Sequence, residues 1–171
     1  CRHLHLPLQA GSSKVLREMA RRYSADQFKQ LVDTIYRFVP TMSLSTDIIV
    51  GFPGETDDEF QETLELAAAC RFSKIHVFPY SMREGTPAAK RPDQVPAEVK
   101  QKRAAQLREL SDALALADFE RRVGTYESAI IEPDFALTES YHEIERPVIG
   151  AVGDLISVKL ESNMLRSQQS E

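Results

Sequence analysis

Cysteine is scarce in this chain of 171 residues: Cys1 and Cys70 stand far apart and in no paired motif. That excludes a disulfide framework and fits a reducing cytosol. Long apolar runs are missing as well. None approaches the roughly 20 residues that cross a bilayer, so the chain is expected to be soluble and cytoplasmic, with no membrane partner. It has no internal repeat, no initiator Met and no signal peptide, and it begins at Cys1 in a strand-like stretch, as a piece of a longer protein would. Its length suits one medium domain, or a small domain with an appendage. Excess positive charge is also lacking. A net charge of −5 argues against nucleic-acid binding driven by bulk electrostatics. The distribution is uneven, however: Lys14 to Arg37 carries six bases against three acids, and Arg71 to Arg91 five bases against Glu84. Those two segments are either where RNA phosphates would lie or ordinary solvated faces.

The chain is organised around Ser45 to Thr56, STDIIVGFPGET. Ile48, Ile49 and Val50 form a β-branched run, Gly51 and Gly54 bracket Pro53, and Thr56 opens a helical pattern, so the stretch reads as buried strand, sharp turn, helix. In α/β sheets ligands settle at the carboxyl ends of strands, where such turns sit. No lysine follows Gly54, and Asp57, Asp58 and Glu59 fill the first helical turn. A polyphosphate would meet like charge there, which excludes a phosphate loop. Glu55 is suited to accept hydrogen bonds from a hydroxyl or amino group, as on a ribose, an adenine or an amino acid. The alternative is that GFPGE is only a tight connection.

Around this stretch, His3 to Gln9 alternates Leu4, Leu6 and Leu8 against His3, His5 and Pro7, a strand with one greasy face that Pro7 either confines to an edge or ends nearby. After Gly11-Ser12-Ser13, a short helix carries Val15, Leu16 and Met19. Ser24 and Gln27 make a capping box for a helix whose stripe is Phe28, Leu31, Val32, Ile35, Tyr36 and Val39, ended by Pro40. Thr56 and Glu59 box the next, which buries Phe60, Leu64 and Ala67; Ser73 to Tyr80 is a third strand. Met82 to Val95 is rich in breakers and longer than a usual connection, a candidate lid. Ala97 to Glu120 reads as one long helix with Val99, Leu107, Leu110 and Leu114 inward. Past Arg122-Val123-Gly124, β-branched clusters alternate with turns, which predicts an all-β module of three to five strands, and the tail after Ser162 should fray. Strand and helix alternate three times, giving parallel βα units too few to close a barrel. The sheet is either small and open or half of a barrel, and a half-barrel would leave the edge near Leu4 to Leu8 unpaired and prone to association.

CRHLHLPLQAGSSKVLREMARRYS, STDIIVGFPGETDDEF, FSKIHVFPYSMREGTPAAK and QVPAEVKQKR resemble, in that order, the second half of the radical S-adenosylmethionine methylthiotransferases. Arg83 to Ala88 and the SDALALADF helix are most similar to the branch that modifies threonylcarbamoyladenosine beside the tRNA anticodon. The resemblance implies an α/β fold: residues 1–121 as the C-terminal half of a (βα)6 radical SAM partial TIM barrel, 122–162 as a small all-β TRAM-like barrel, and 163–171 as a disordered tail. It also implies S-adenosylmethionine and two 4Fe-4S clusters in the intact enzyme, with tRNA and an upstream cluster-bearing portion of the same protein as partners. No cluster motif occurs in this sequence, so the chain by itself is expected to hold no catalytic residue and no metal ligand, and to be inactive.

Carried over by position, Gln9, Gly11, Ser12, Thr46, Asp47, Gly51, Pro53, Gly54 and Glu55 are the expected cofactor contacts, with Ala10 standing where the family usually has serine. Tyr80, Arg83, Gly85, Thr86 and Pro87 are the expected substrate-side residues, and Tyr126, Tyr141 and Arg146 the expected RNA contacts of the acidic β-module. His3 and His5 share a face and could ligate a metal, but two ligands are too few; they are expected to hydrogen-bond in the barrel interior, as is His76. Cys70 is expected to be a small core residue. Alternatives are isopentenyl-adenosine in tRNA or a ribosomal-protein aspartate as substrate, another radical SAM reaction, or a non-enzymatic RNA-binding module.

Overall fold

The computed structural model describes residues 1–147 and 149–166. Its first layer is a three-stranded parallel sheet, order β1-β2-β3, built from His3–His5, Ser43–Val50 and Lys74–Pro79. Register sets the two faces. His3 lies opposite Ser43 and His5 opposite Ser45, while Asp47 is opposite His76 and Ile49 opposite Phe78. Side chains two apart along a strand share a side, so these residues make one mostly polar face, on which Ser43 and Ser45 are buried and the others keep some access to solvent. Leu8, Leu44, Ile48, Val50 and Ile75 make the other, buried under helices. β1 is an edge strand with β2 as its one neighbour among the described residues, and it ends at His5, two residues before Pro7.

The covering helices follow local signals. Both capping boxes form: Ser24 with Gln27 starts α2, Ala25–Phe38, and Thr56 with Glu59 starts α3, Asp57–Cys70. In α2 the buried stripe is narrower than expected, with Phe28, Val32 and Tyr36 inside and Leu31 and Val39 exposed. A short α1, Ser13–Glu18, buries Val15 and Leu16, and neither serine side chain caps it. Gly11 lies so close to α3 that a β-carbon would collide with Thr63 Cα and the Glu62 carbonyl, which is why no larger residue fits that turn.

Helix α4, Ala97–Glu120, has the predicted length but a different inner face. Arg103, Ala104, Leu107, Ser111, Ala115, Asp118 and Phe119 are buried, whereas the Leu110 and Leu114 of the expected stripe are only partly covered. Its polar members are held by partners distant in sequence, described below.

The second layer is a four-stranded antiparallel sheet, order β6-β5-β4-β7, from Tyr126–Ile131 (β4), Phe135–Thr138 (β5), Glu143–Glu145 (β6) and Leu155–Lys159 (β7). Its core is Phe119, Ala129, Ala136, Ile144 and Leu160, so the end of α4 contributes to it and apolar packing runs across position 121. Residues 163–166 do not fray. Leu165 bridges to Ile144, Met164 packs on the core, and Arg166 donates to the Asp134 carbonyl. The rest of the expected tail, 167–171, lies outside the described residues.

Candidate functional site

The turns after β1 and β2 lie at the same end of the sheet. Gln9 bridges to Ile48, and Tyr80 N–H donates to the Val50 carbonyl, which brings the three strand ends side by side. What lies between the two turns is hydrocarbon, however, and not a cavity. Ala10 and Phe52 are buried together with Val15 and Leu16, and Tyr80 and Ala88 pack against them. Alanine at position 10 is a wall of this cluster, which accounts for the absence of a hydroxyl there.

The expected cofactor residues divide accordingly. Glu55 is divided between a bonded oxygen and Oε1, which is buried and has no partner among the described residues. Its side chain is fully buried, and one carboxylate oxygen accepts from Gly51 N–H (2.6 Å) and from Arg103 Nη1 (2.7 Å). Burial pushes its carboxyl above the ordinary value, against the lowering effect of the Gly51 amide and the Arg103 guanidinium. Thr46 points to the helix side, where its hydroxyl donates to the Leu6 carbonyl and accepts from Leu8 N–H. Ser12, Gly51 and Pro53 are buried. Gly51 and Gly54 both have positive φ, 72° and 79°, and a β-carbon on them would strike Lys100 and the Arg91–Asp93 pair respectively. Gln9, itself at φ 72°, is held by Arg21. Gln9, Asp47 and Gly54 retain access to solvent.

On the substrate side, Arg83 and Gly85 are exposed, and Thr86 accepts from Ala89 N–H to start the 3₁₀ turn Ala88–Lys90 that follows Pro87. This puts one turn of structure into the expected lid. Tyr80 sits edge-on to Phe52, and its buried hydroxyl has no partner among the described residues. Of the expected RNA contacts, Tyr126 is 66% exposed and Arg146 is exposed. Tyr141 is different: at φ 70° its ring stacks on His3, centroids 4.3 Å apart and 8° from parallel, so one of its two faces is already used.

His3 and His5 hydrogen-bond as expected, through Ser45, whose Oγ lies 2.8 Å and 2.9 Å from their ring nitrogens, although His5 is exposed. His76 has no side-chain hydrogen bond among the described residues; it lies beside His5, ring centroids 5.8 Å apart. Burial, followed by repulsion from Lys74, holds the His76 imidazole below its ordinary value.

Two clusters escaped the sequence reading. Arg103 ties the GFPGE turn to α4, donating also to the Glu55 carbonyl and to Asp57. Its position beside Ala104 and one turn before Leu107 was the available signal. Asp118, Arg122, Glu127, Ser140 and His142 form a buried polar junction between α4 and the antiparallel sheet.

Neither cysteine is placed to hold a cluster. Cys70 is fully buried at the end of α3 and burial pushes its thiol up to about 12, whereas Cys1 is exposed with its thiol on the Glu139 carbonyl. A disulfide reagent at neutral pH is therefore expected to titrate one thiol rapidly in the native chain and a second only after denaturation. Two fast thiols would show that Cys70 is accessible.

Residues 1–67 match the Radical SAM superfamily. The chain is 50% identical over 110 residues to the tRNA-2-methylthio-N(6)-dimethylallyladenosine synthase of Opitutus terrae, an alignment covering 64% of this chain and 23% of that protein. It is 44% identical over 132 residues to that of Carboxydothermus hydrogenoformans, covering 77% and 30%, and 44% identical over 124 residues to that of Mycobacteroides abscessus, covering 72% and 24%. The chain thus spans between 23% and 30% of the length of these relatives. S-adenosylmethionine and 4Fe-4S clusters are the cofactors such relatedness implies for an intact enzyme. The two cysteines here do not fit a cluster, which needs several thiolates on one metal centre. Parallel strands joined to a small antiparallel sheet thus accompany a radical SAM match over the first 67 residues and similarity to methylthio synthases over 64–77% of the chain.

Proposed function

We propose that this chain is part of a cytoplasmic tRNA methylthiotransferase whose substrate is dimethylallyladenosine. The relatives, up to 50% identical, carry that substrate in their names, and this is the observation that carries the reading. It replaces threonylcarbamoyladenosine, the expectation from Arg83 to Ala88, as the first substrate to test. The open face of the parallel sheet gives physical support. At its carboxyl end Ile49 stands opposite Phe78, which is 50% exposed, and this apolar pair suits an isoprenoid group better than a charged threonyl one. In this reading S-adenosylmethionine supplies the radical chemistry when bound. Gln9, Asp47 and Gly54 are accessible to a nucleoside, the buried Tyr80 hydroxyl is left without a partner among the described residues, and Tyr126 and Arg146 are open to RNA.

The test uses the complete gene product, reconstituted with iron and sulfide and given S-adenosylmethionine, a one-electron reductant and tRNA carrying either modified adenosine. Nucleoside mass spectrometry is expected to find the methylthio product from dimethylallyladenosine. Product from threonylcarbamoyladenosine alone would reassign the substrate, and binding of tRNA with no product from either would favour a non-catalytic RNA-binding role.

A further inference from the structure

The open face of the parallel sheet carries a group of side chains of which the tRNA-modifying reading uses only Asp47. His5, Asp47 and His76 come from three adjacent strands and project to the same side, because His5 is registered with Ser45 and Asp47 with His76. Each offers a ligating atom, and these atoms all lie within 4.8 Å of one another. His5 Nε2 is 3.3 Å from the Asp47 carboxylate, and the His5 and His76 rings approach to 5.8 Å. Parallel strands hydrogen-bonded side by side fix the three Cα positions, so the group is assembled by the backbone and not by a mobile loop.

Ser45 determines which nitrogen of His5 faces the group. The Ser45 hydroxyl meets His3 Nε2 at 2.8 Å and His5 Nδ1 at 2.9 Å. It has one proton, so it donates to one ring and accepts from the other. When it donates to His3, His5 Nδ1–H donates to Ser45, and the lone pair of His5 Nε2 points to Asp47 and His76. An outer hydrogen bond on the second ring nitrogen is the usual way a metal-binding imidazole is oriented. Stacking of His3 on Tyr141 holds the far end of this relay against the antiparallel sheet.

The geometry points to a divalent transition-metal site formed by His5, Asp47 and His76, separate from any iron–sulfur cluster and independent of the identity of the modified adenosine. Two imidazoles and one carboxylate suit Zn²⁺ or Fe²⁺ and leave coordination positions open for water or for an oxygen or nitrogen of a ligand entering from the open side.

Titration of the metal-free 171-residue chain with Zn²⁺ by calorimetry, and with Co²⁺ by visible absorption, tests this. One saturable site per chain is expected, with Co²⁺ d–d bands and no thiolate charge transfer. Asp47→Asn, which keeps the shape, and His76→Ala should each weaken Zn²⁺ binding at least about tenfold, and Ser45→Ala by roughly tenfold through loss of ring orientation. Cys1→Ser should leave the site unchanged. Circular dichroism of each variant checks that the fold persists. Absence of saturable binding, binding that survives both Asp47→Asn and His76→Ala, or binding abolished by Cys1→Ser would overturn the assignment.

Discussion

Asp118→Ala is expected to cost roughly 3–5 kcal/mol of folding stability, because it strands two buried basic groups at once. The Asp118 side chain is 2% exposed. Its carboxylate is shared by Arg122 Nε at 2.8 Å, His142 Nε2 at 2.8 Å and the more exposed Arg121. Arg122 in turn donates to the Thr41 carbonyl at 3.1 Å and faces Glu127 at 3.3 Å, and Glu127 accepts from the Ser140 hydroxyl at 2.6 Å. Removing the carboxylate takes from Arg122 and His142 their shared acceptor in a place water does not reach, whereas Arg121→Ala, at the rim, should cost no more than about 1 kcal/mol. Urea denaturation of the 171-residue chain and its variants measures the difference. An Asp118→Ala loss equal to that of Arg121→Ala would show that the junction is not stabilising.

The same carboxylate makes the junction acid-sensitive. Burial by itself raises the Asp118 pKa, but the hydrogen bonds from His142 and Arg122 outweigh it and leave the group below its ordinary value. With the folded pKa below the unfolded one, near 3.9, the contribution is fully present above about pH 4–5 and disappears as the pH falls through the folded value. Acid should therefore loosen the antiparallel sheet from α4 in the wild type, and Asp118→Asn should abolish that part of the pH dependence.

Sequence reading succeeded where the governing interaction is local. Ser24 with Gln27 and Thr56 with Glu59 are three residues apart, and both boxes form; Pro40 ends a helix; β-branched Ile48 to Val50 followed by Gly51 gives the strand and turn. It is silent where one side chain has a choice between solvent and a partner far along the chain. Glu55 looked available to a ligand because nothing in GFPGET competes for it, and its partner Arg103 is 48 residues away. Asp118 and His142 are separated by 24 residues and Asp47 and His5 by more, so neither the junction nor the three-strand group has a spacing to read. Register supplies what spacing cannot: once β1, β2 and β3 are parallel neighbours, His5, Asp47 and His76 must share a face.

Arg103→Ala should be comparably damaging, at roughly 3–5 kcal/mol, and a compensating change can separate its cause from simple loss of packing. The Arg103 side chain is 5% exposed; it bonds the Glu55 carbonyl at 3.1 Å, the Glu55 carboxylate at 2.7 Å and Asp57 at 2.7 Å, with its guanidinium 5.5 Å from the Phe60 ring. Alanine leaves Glu55 buried with only the Gly51 N–H, and burial already disfavours its charge. Arg103→Met combined with Glu55→Gln keeps volume on both sides, removes both charges and preserves an acceptor for Gly51, so the double variant should lie within about 1–2 kcal/mol of wild type. Arg103→Lys should fall between, since an ammonium cannot reach the carbonyl and both carboxylates with the reach of a planar fork. If the double variant were as unstable as Arg103→Ala, the damage would come from the lost stem of the arginine and not from an abandoned carboxylate, and the GFPGE turn would owe its shape to its glycines alone.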